Sequence, residues 1–174
     1  EQQAYDLAAQ HAGQCAETFA RLRQTEPYFG ARFLQGCIAF EQRRLGEAQS
    51  IFDSVLAHGK TTGNESWLAR ASLALGICHS ERRELNTATQ YFDRALLASR
   101  HVGNVEAEIR SRWGLALVVQ RDGRYRSAIP RLQEVREDFV NYGAVCDAGL
   151  VTLDIMETFL LLGMPREVRR TAGN

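Results

Sequence analysis

Residues 36–52 read GCIAFEQRRLGEAQSIF, residues 76–92 read GICHSERRELNTATQYF, and residues 116–132 read ALVVQRDGRYRSAIPRL. Each stretch opens on a small residue (Gly36, Gly76, Ala116), carries alanine at one fixed later position (Ala48, Ala88, Ala128) and closes on a large apolar residue (Phe52, Phe92, Leu132). The step from copy to copy is 40 residues. Working outward, the same step joins Leu45, Leu85 and Tyr125, then Val55, Ala95 and Val135, then Gly63, Gly103 and Gly143. A period of this length implies stacked helical hairpins, because one hairpin cannot bury its apolar face alone and is completed by its neighbours. The expected fold is all-α, a superhelix (α-solenoid) of antiparallel helix pairs.

Within each period, apolar residues recur at intervals of three and four in two blocks. First helices are expected over Tyr28 to Arg43, Glu65 to Arg82, Val105 to Asp122 and Ala144 to Leu162; second helices over Gly46 to His58, Asn86 to Arg100 and Tyr125 to Val140. Stepping one period back from Leu45, Ala48, Phe52 and Val55 reaches Tyr5, Ala8, Ala12 and Cys15, so residues 1–24 read as the second helix of a truncated repeat. A single array follows: repeats at 28–63, 64–103 and 104–143, and an incomplete one at 144–174. The opening at Glu1 without Met and the stop inside a helix suggest an excised portion of something longer.

Turn residues fit this division. Gly63, Gly103 and Gly143 each follow a second helix, where a residue free to take positive φ can close the helix end. Gly46, Gly123 and Gly163 are expected between the helices of a pair, and the second copy, with Arg83 and Glu84 there, should have a differently shaped turn. Pro165 suits the first turn of a helix. Pro130 lies inside a second helix and lacks the N–H that would bond near Arg126, which predicts a kink or a late start.

The totals narrow the function. A chain of 174 residues with 45% hydrophobic and 24% charged residues can build a stacked core. Lys plus Arg equals Asp plus Glu at 21 each, so the net positive charge that draws proteins to nucleic acid or anionic membranes is missing. Lys60 is the single lysine, a skew that reports genome composition rather than function. No apolar run approaches the ~20 residues that span a bilayer. Cys15, Cys37, Cys78 and Cys146 match neither a zinc pattern nor a short disulfide framework and read as buried thiols in a reducing compartment, which makes the cytoplasm the expected location.

Catalytic signatures are missing too. His11, His58, His79 and His101 fall on different helices with no HxxxH, HExxH or CxxC spacing, and neither a phosphate-binding glycine loop nor GxSxG occurs. Carboxylate pairs such as Glu106 and Glu108, or Glu134 and Glu137, read as solvated helix faces. No enzyme, metal site or cofactor is expected.

The columns Gly36, Gly76 and Ala116, then Ala48, Ala88 and Ala128, then Phe52, Phe92 and Leu132 resemble the tetratricopeptide repeat. In that family small residues let paired helices approach and a large one fills the space between pairs. The usual repeat is 34 residues, so the longer step resembles the arrays of large bacterial signalling ATPases and LuxR-type regulators, as does the segment from Ala148 to Val168. The resemblance implies a right-handed superhelix with a concave groove lined by first helices. Phe33, Leu73, Trp113 and Leu153 would form one row along it, Cys37, Ile77, Leu117 and Glu157 a second, and Gly30, Arg70, Arg110 and Leu150 a third.

Family members that clamp a C-terminal carboxylate use asparagines and lysines where this chain has Phe33, Leu34, Leu73, Ala74, Trp113 and Gly114, so no such clamp is expected. The expected partner is a helix or extended peptide with hydrophobic anchors. It would contact Phe33, Cys37, Leu73, Ile77, Trp113, Leu117 and Leu153, with Arg70 and Arg110 pairing to acidic flanks and Trp113 the main hot spot. The same rows serve equally well as packing between helices, and an open groove beside Trp113 is what separates the two readings. A ligand-sensing domain controlling a fused transcription or signalling domain, and self-association through uncapped end repeats, are the alternatives.

Overall fold

The computed structural model describes residues 2–172, so the outermost residues of the two end segments, 1 and 173–174, lie outside it. The chain is an all-α superhelix of antiparallel helix pairs. The order is α1 (Gln2–Arg21), α2 (Thr25–Glu41), α3 (Leu45–Thr62), α4 (Glu65–Glu81), α5 (Leu85–His101), α6 (Val105–Arg121), α7 (Tyr125–Tyr142), α8 (Val145–Leu161) and α9 (Pro165–Ala172). Each helix packs on the next in sequence, and α4 also touches α6. At 17 or 18 residues, α2 to α8 are each about 25 Å long, from a rise of about 1.5 Å per residue. No helix among the described residues is long and apolar enough to cross a membrane.

The small and large columns meet in the core. Ala48, Ala88 and Ala128 are wholly buried, as are Val55, Ala95 and Leu132. The Phe52 ring lies against Gly36, and the Phe92 ring is held between Gly76 of α4 and Gly114 of α6. A Cβ at any of the three glycines would fall within 3.0 Å of the ring, so hydrogen is the only side chain that fits without movement. Gly114 has no counterpart in the column of small residues read from sequence; it makes Phe92 a peg shared by two successive pairs.

Several expectations are corrected by the helix ends. α2 starts at Thr25, ahead of Tyr28, with Pro27 in its first turn, and α3 continues to Thr62, a turn past His58. The left-handed residues between the helices of a pair are Arg43, Arg83, Gly123 and Gly163, with φ of 60°, 62°, 79° and 69°; Gly46 sits inside α3 instead. The second copy therefore turns as the others do. The reason lies in the hydrogen bonding: Arg44 N–H donates to Ala39 O, Glu84 to His79 O, Arg124 to Val119 O and Met164 to Phe159 O at 2.8–3.2 Å. This helix-closing bond holds an arginine in a conformation that costs roughly 1–2 kcal/mol outside glycine.

α7 starts at Tyr125, in step with α3 and α5, so Pro130 does not delay it. Pro130 is exposed, and so is Arg126, whose carbonyl lacks the usual donor and is left to water. Where second helices end, Gly63 and Gly143 are left-handed as expected, and Asn64 and Asn104 cap the following helices by accepting from Trp67 N–H (3.2 Å) and Ala107 N–H (3.0 Å).

The cysteines are not uniformly buried. All four are free thiols; Cys78 is buried and Cys37 half-buried, but Cys15 and Cys146 are exposed. Ala12 and Ala16 supply the buried contacts of α1 and Cys15 lies off their stripe, while Cys146 is at the open start of α8. Burial pushes the Cys78 thiol up to about 12 and raises that of Cys37 as well.

Candidate functional site

Two adjoining clefts run along the face formed by α2, α4 and α6. The first, of about 410 Å³, has Phe33, Cys37, Phe40 and Glu41 from α2 on one side and Arg70, Leu73, Ala74 and Ile77 from α4 on the other. Phe52 closes its floor, and Asn104, Glu106, Ala107 and Arg110 close its far edge. The second, of about 200 Å³, lies between α4 and α6, where Leu73, Ile77, Ser80 and Glu81 face Arg110, Trp113, Gly114, Leu117 and Arg121 above the Phe92 ring. Leu73, Ile77 and Arg110 line both clefts, so the two abut.

The residues named from sequence divide accordingly. Phe33, Cys37, Arg70, Leu73, Ile77 and Arg110 surround the first cleft, and Trp113 and Leu117 the second. Leu153 lines neither and stands 59% exposed on α8. Trp113 is half-buried, so it belongs to the wall of an open cleft and to the packing at once. Its ring meets Phe139 edge-on at 5.8 Å, and its Nε1–H donates to Asp154 Oδ2 at 2.7 Å. Burial raises the Asp154 carboxyl above the ordinary aspartate range, and the bond from Trp113 offsets part of this.

The two arginines at the edge differ. Arg110 is held by Glu106 Oε1 at 3.0 Å and by Asp147 Oδ1 at 3.0 Å, so its charge is already compensated within the fold. Arg70 is exposed, and its guanidinium lies 4.6 Å from the Phe33 ring centroid and 4.8 Å from that of Trp67. Among the described residues it makes no ion pair. Trp67 is fixed in turn, its Nε1–H donating to Glu26 Oε2 at 2.6 Å. That bond outweighs the opposing effect of burial and, with weaker pulls from His58 and Asn64, holds the Glu26 carboxyl below its ordinary value.

Sequence reasoning missed Glu41, Glu81 and Arg121. The signal was available, since one more helical turn beyond Cys37, Ile77 and Leu117 reaches these residues. Burial works to raise the Glu81 carboxyl, but Arg121 at 2.5 Å and Arg43 at 3.1 Å outweigh it and hold it below the usual range. Glu41, at the equivalent position of α2, has no ion pair among the described residues. Among the described residues, no group of three or more His, Cys, Asp or Glu side chains is arranged to hold a metal ion.

No protein-family model matches the sequence, and no curated protein matches it. Solved structures do resemble the fold. The TPR-like repeats of a kinesin light chain-type protein from Podosopora anserina superpose with a TM-score of 0.70 at 13% identity, over 97% of this chain and 84% of that one. The apo form of RapI gives 0.79 at 16% identity, covering 97% of this chain and 61% of RapI. BtubC from P. vanneervenii gives 0.63 at 12% identity, over 97% and 88%. The fold is thus that of TPR-like helical repeats.

Proposed function

We propose that this chain is a non-catalytic interaction module that takes a protein or peptide segment into the paired clefts of α2, α4 and α6. The observation that carries this reading is the first cleft. It combines apolar walls of Phe33, Cys37, Leu73 and Ile77 with an exposed guanidinium, Arg70, that nothing in the described fold neutralises. An apolar trough with a few placed charges is the usual chemistry of peptide recognition, and side chains lodged in it supply most of the affinity. The likeness to TPR-like repeats supports the reading; fold by itself names no partner. The 40-residue spacing and the segment from Ala148 to Val168 favour a place in a larger bacterial regulatory or signalling protein, working in the cytoplasm.

Trp113 has a smaller part in this reading than the sequence suggested, because its indole N–H is already committed to Asp154. Leu153 serves only if the partner extends past the second cleft. A direct test is calorimetric titration of a cleft-binding peptide into the chain and into Ile77→Asp. Ile77 lines both clefts yet is 39% exposed, so the substitution should leave the helix content intact and abolish binding. Equal binding by both proteins would rule the clefts out.

A second reading, a sensor of a small peptide or metabolite that controls a fused domain, is favoured by one observation. At about 410 Å³ the first cleft falls within the 300–1,000 Å³ typical of small-ligand sites. A ligand acting in this way would change the curvature of the superhelix on binding, readable by distance measurements between spin labels on the exposed Cys15 of α1 and Cys146 of α8.

A further inference from the structure

The first cleft has two uncompensated charges, and they are of opposite sign. Arg70 lies over the Phe33 ring at one end, and Glu41, the last residue of α2, stands at the other. Neither makes an ion pair among the described residues, although Glu81, at Glu41's position one period on, is held by both Arg43 and Arg121. The remaining charged pair at the cleft, Glu106 and Arg110, is joined internally at 3.0 Å. The C-terminal end of α2 adds its own negative partial charge beside Glu41, which further favours a cation there.

From this geometry, and resting on the groove reading above, we infer that the first cleft binds an extended peptide segment. This segment carries a carboxylate side chain at one end, apolar side chains in the middle and a lysine or arginine at the other end. Phe33 and Glu41 are eight residues apart on one helix, which separates the charges by about 12 Å. An extended chain advances about 3.3 Å per residue, so the acid and the base would stand about four residues apart. The intervening side chains reach Cys37, Leu73 and Ile77. A helix, about 10–12 Å across, would rest only one face on this open cleft, whereas an extended segment can sink successive side chains between α2 and α4. The two acidic flanks expected from Arg70 and Arg110 are replaced by one acid and one base, and the charges fix the direction in which the segment lies.

The test is selection from a displayed library of random twelve-residue peptides. It is run in parallel on the 174-residue chain, on Ile77→Asp, and on the exchange Arg70→Glu with Glu41→Arg, each checked by circular dichroism for unchanged helix content. The expected result is enrichment of peptides with an acid and a base about four residues apart around apolar positions. The exchanged protein should select the opposite order, and Ile77→Asp should select neither. In titrations with one selected synthetic peptide, Arg70→Gln or Glu41→Gln should each weaken binding about two- to five-fold, as partly exposed pairs do. The exchange should weaken it about ten-fold or more, and a peptide of reversed charge order should recover the loss. Peptides that need Ile77 but show no charge order, or ignore the exchange, would overturn this inference and leave the groove reading intact. Peptides that bind Ile77→Asp as well as the native chain, or no enrichment at all, would overturn both.

Discussion

Arg70 and Arg110 sit at the same register of α4 and α6, yet one is free and the other is bound into the fold. Around Arg110 the neighbouring helices supply partners: Glu106 from its own helix, Asp147 from α8, and beside it Asp154 for Trp113. Around Arg70 the neighbours supply only aromatic faces, Phe33 and Trp67. Identical backbone placement thus gives a locked wall on one side of the groove and a receptive one on the other. An exposed cation over an aromatic ring gains about 0.5–1 kcal/mol and keeps its charge available, whereas one between two carboxylates has little field left to offer a ligand.

Substitutions should separate the two regions in stability. Trp113→Ala removes packing on Phe139 and leaves the Asp154 carboxylate without its donor, so we expect a loss of about 3 kcal/mol in urea unfolding. Arg70→Ala, by contrast, should cost less than about 1 kcal/mol. Equal losses would erase the distinction. Gly114→Ala forces a methyl against the Phe92 ring and should cost about 1–3 kcal/mol, while alanine at the exposed Leu34, the same register of α2, should cost under about 0.5 kcal/mol.

pH offers a finer probe of the locked side. Because the folded-state pKa of Asp154 is raised, the native state holds its proton more tightly than the unfolded chain does. Its contribution favours folding in acid and is lost as pH rises from the unfolded value of about 3.9 through the folded one. Asp154→Asn, which keeps an acceptor for Trp113, should therefore be at least as stable as the native chain at pH 7 and should lose this part of the pH dependence. A clearly destabilised variant at pH 7 would mean that the charge itself is needed. Glu81 works in the opposite sense: its lowered pKa contributes stability above the unfolded value that is lost as pH falls through the folded one.

The smallest effects concern the thiols and the turns. Cys15 and Cys146 should react rapidly with a maleimide and Cys37 more slowly, with Cys78 reacting only on unfolding. A peptide seated in the first cleft should slow Cys37 alone. Arg83→Gly relieves a left-handed arginine and should raise stability by roughly 0.5–1 kcal/mol, measured as a higher urea midpoint at unchanged slope.

Volume was easier to read from sequence than charge. The columns ending at Phe52, Phe92 and Leu132 and beginning at Gly36, Gly76 and Ala116 specify which positions must be large and which small, and the rings do lie on the glycines at Gly36 and Gly76. Eight of the nine residues named for the groove line its clefts because they share a helical stripe, and Leu153 does not because α8 has no further first helix against it among the described residues. The first turn was misread by three residues, since Gly46 drew attention away from Arg43, and the second was expected to differ in shape because Arg83 stands there in place of a glycine. An arginine gives no sequence sign that two backbone hydrogen bonds will hold it left-handed.

By itself the sequence determined a stack of paired helices with a repeated small-against-large core, because burying apolar surface at a constant step leaves its imprint on every copy. Only the tertiary structure decided which charges remain free. Coulombic compensation depends on separations of a few ångströms between side chains nearly 40 residues apart, such as Arg110 and Asp147, and no repeat pattern encodes those distances.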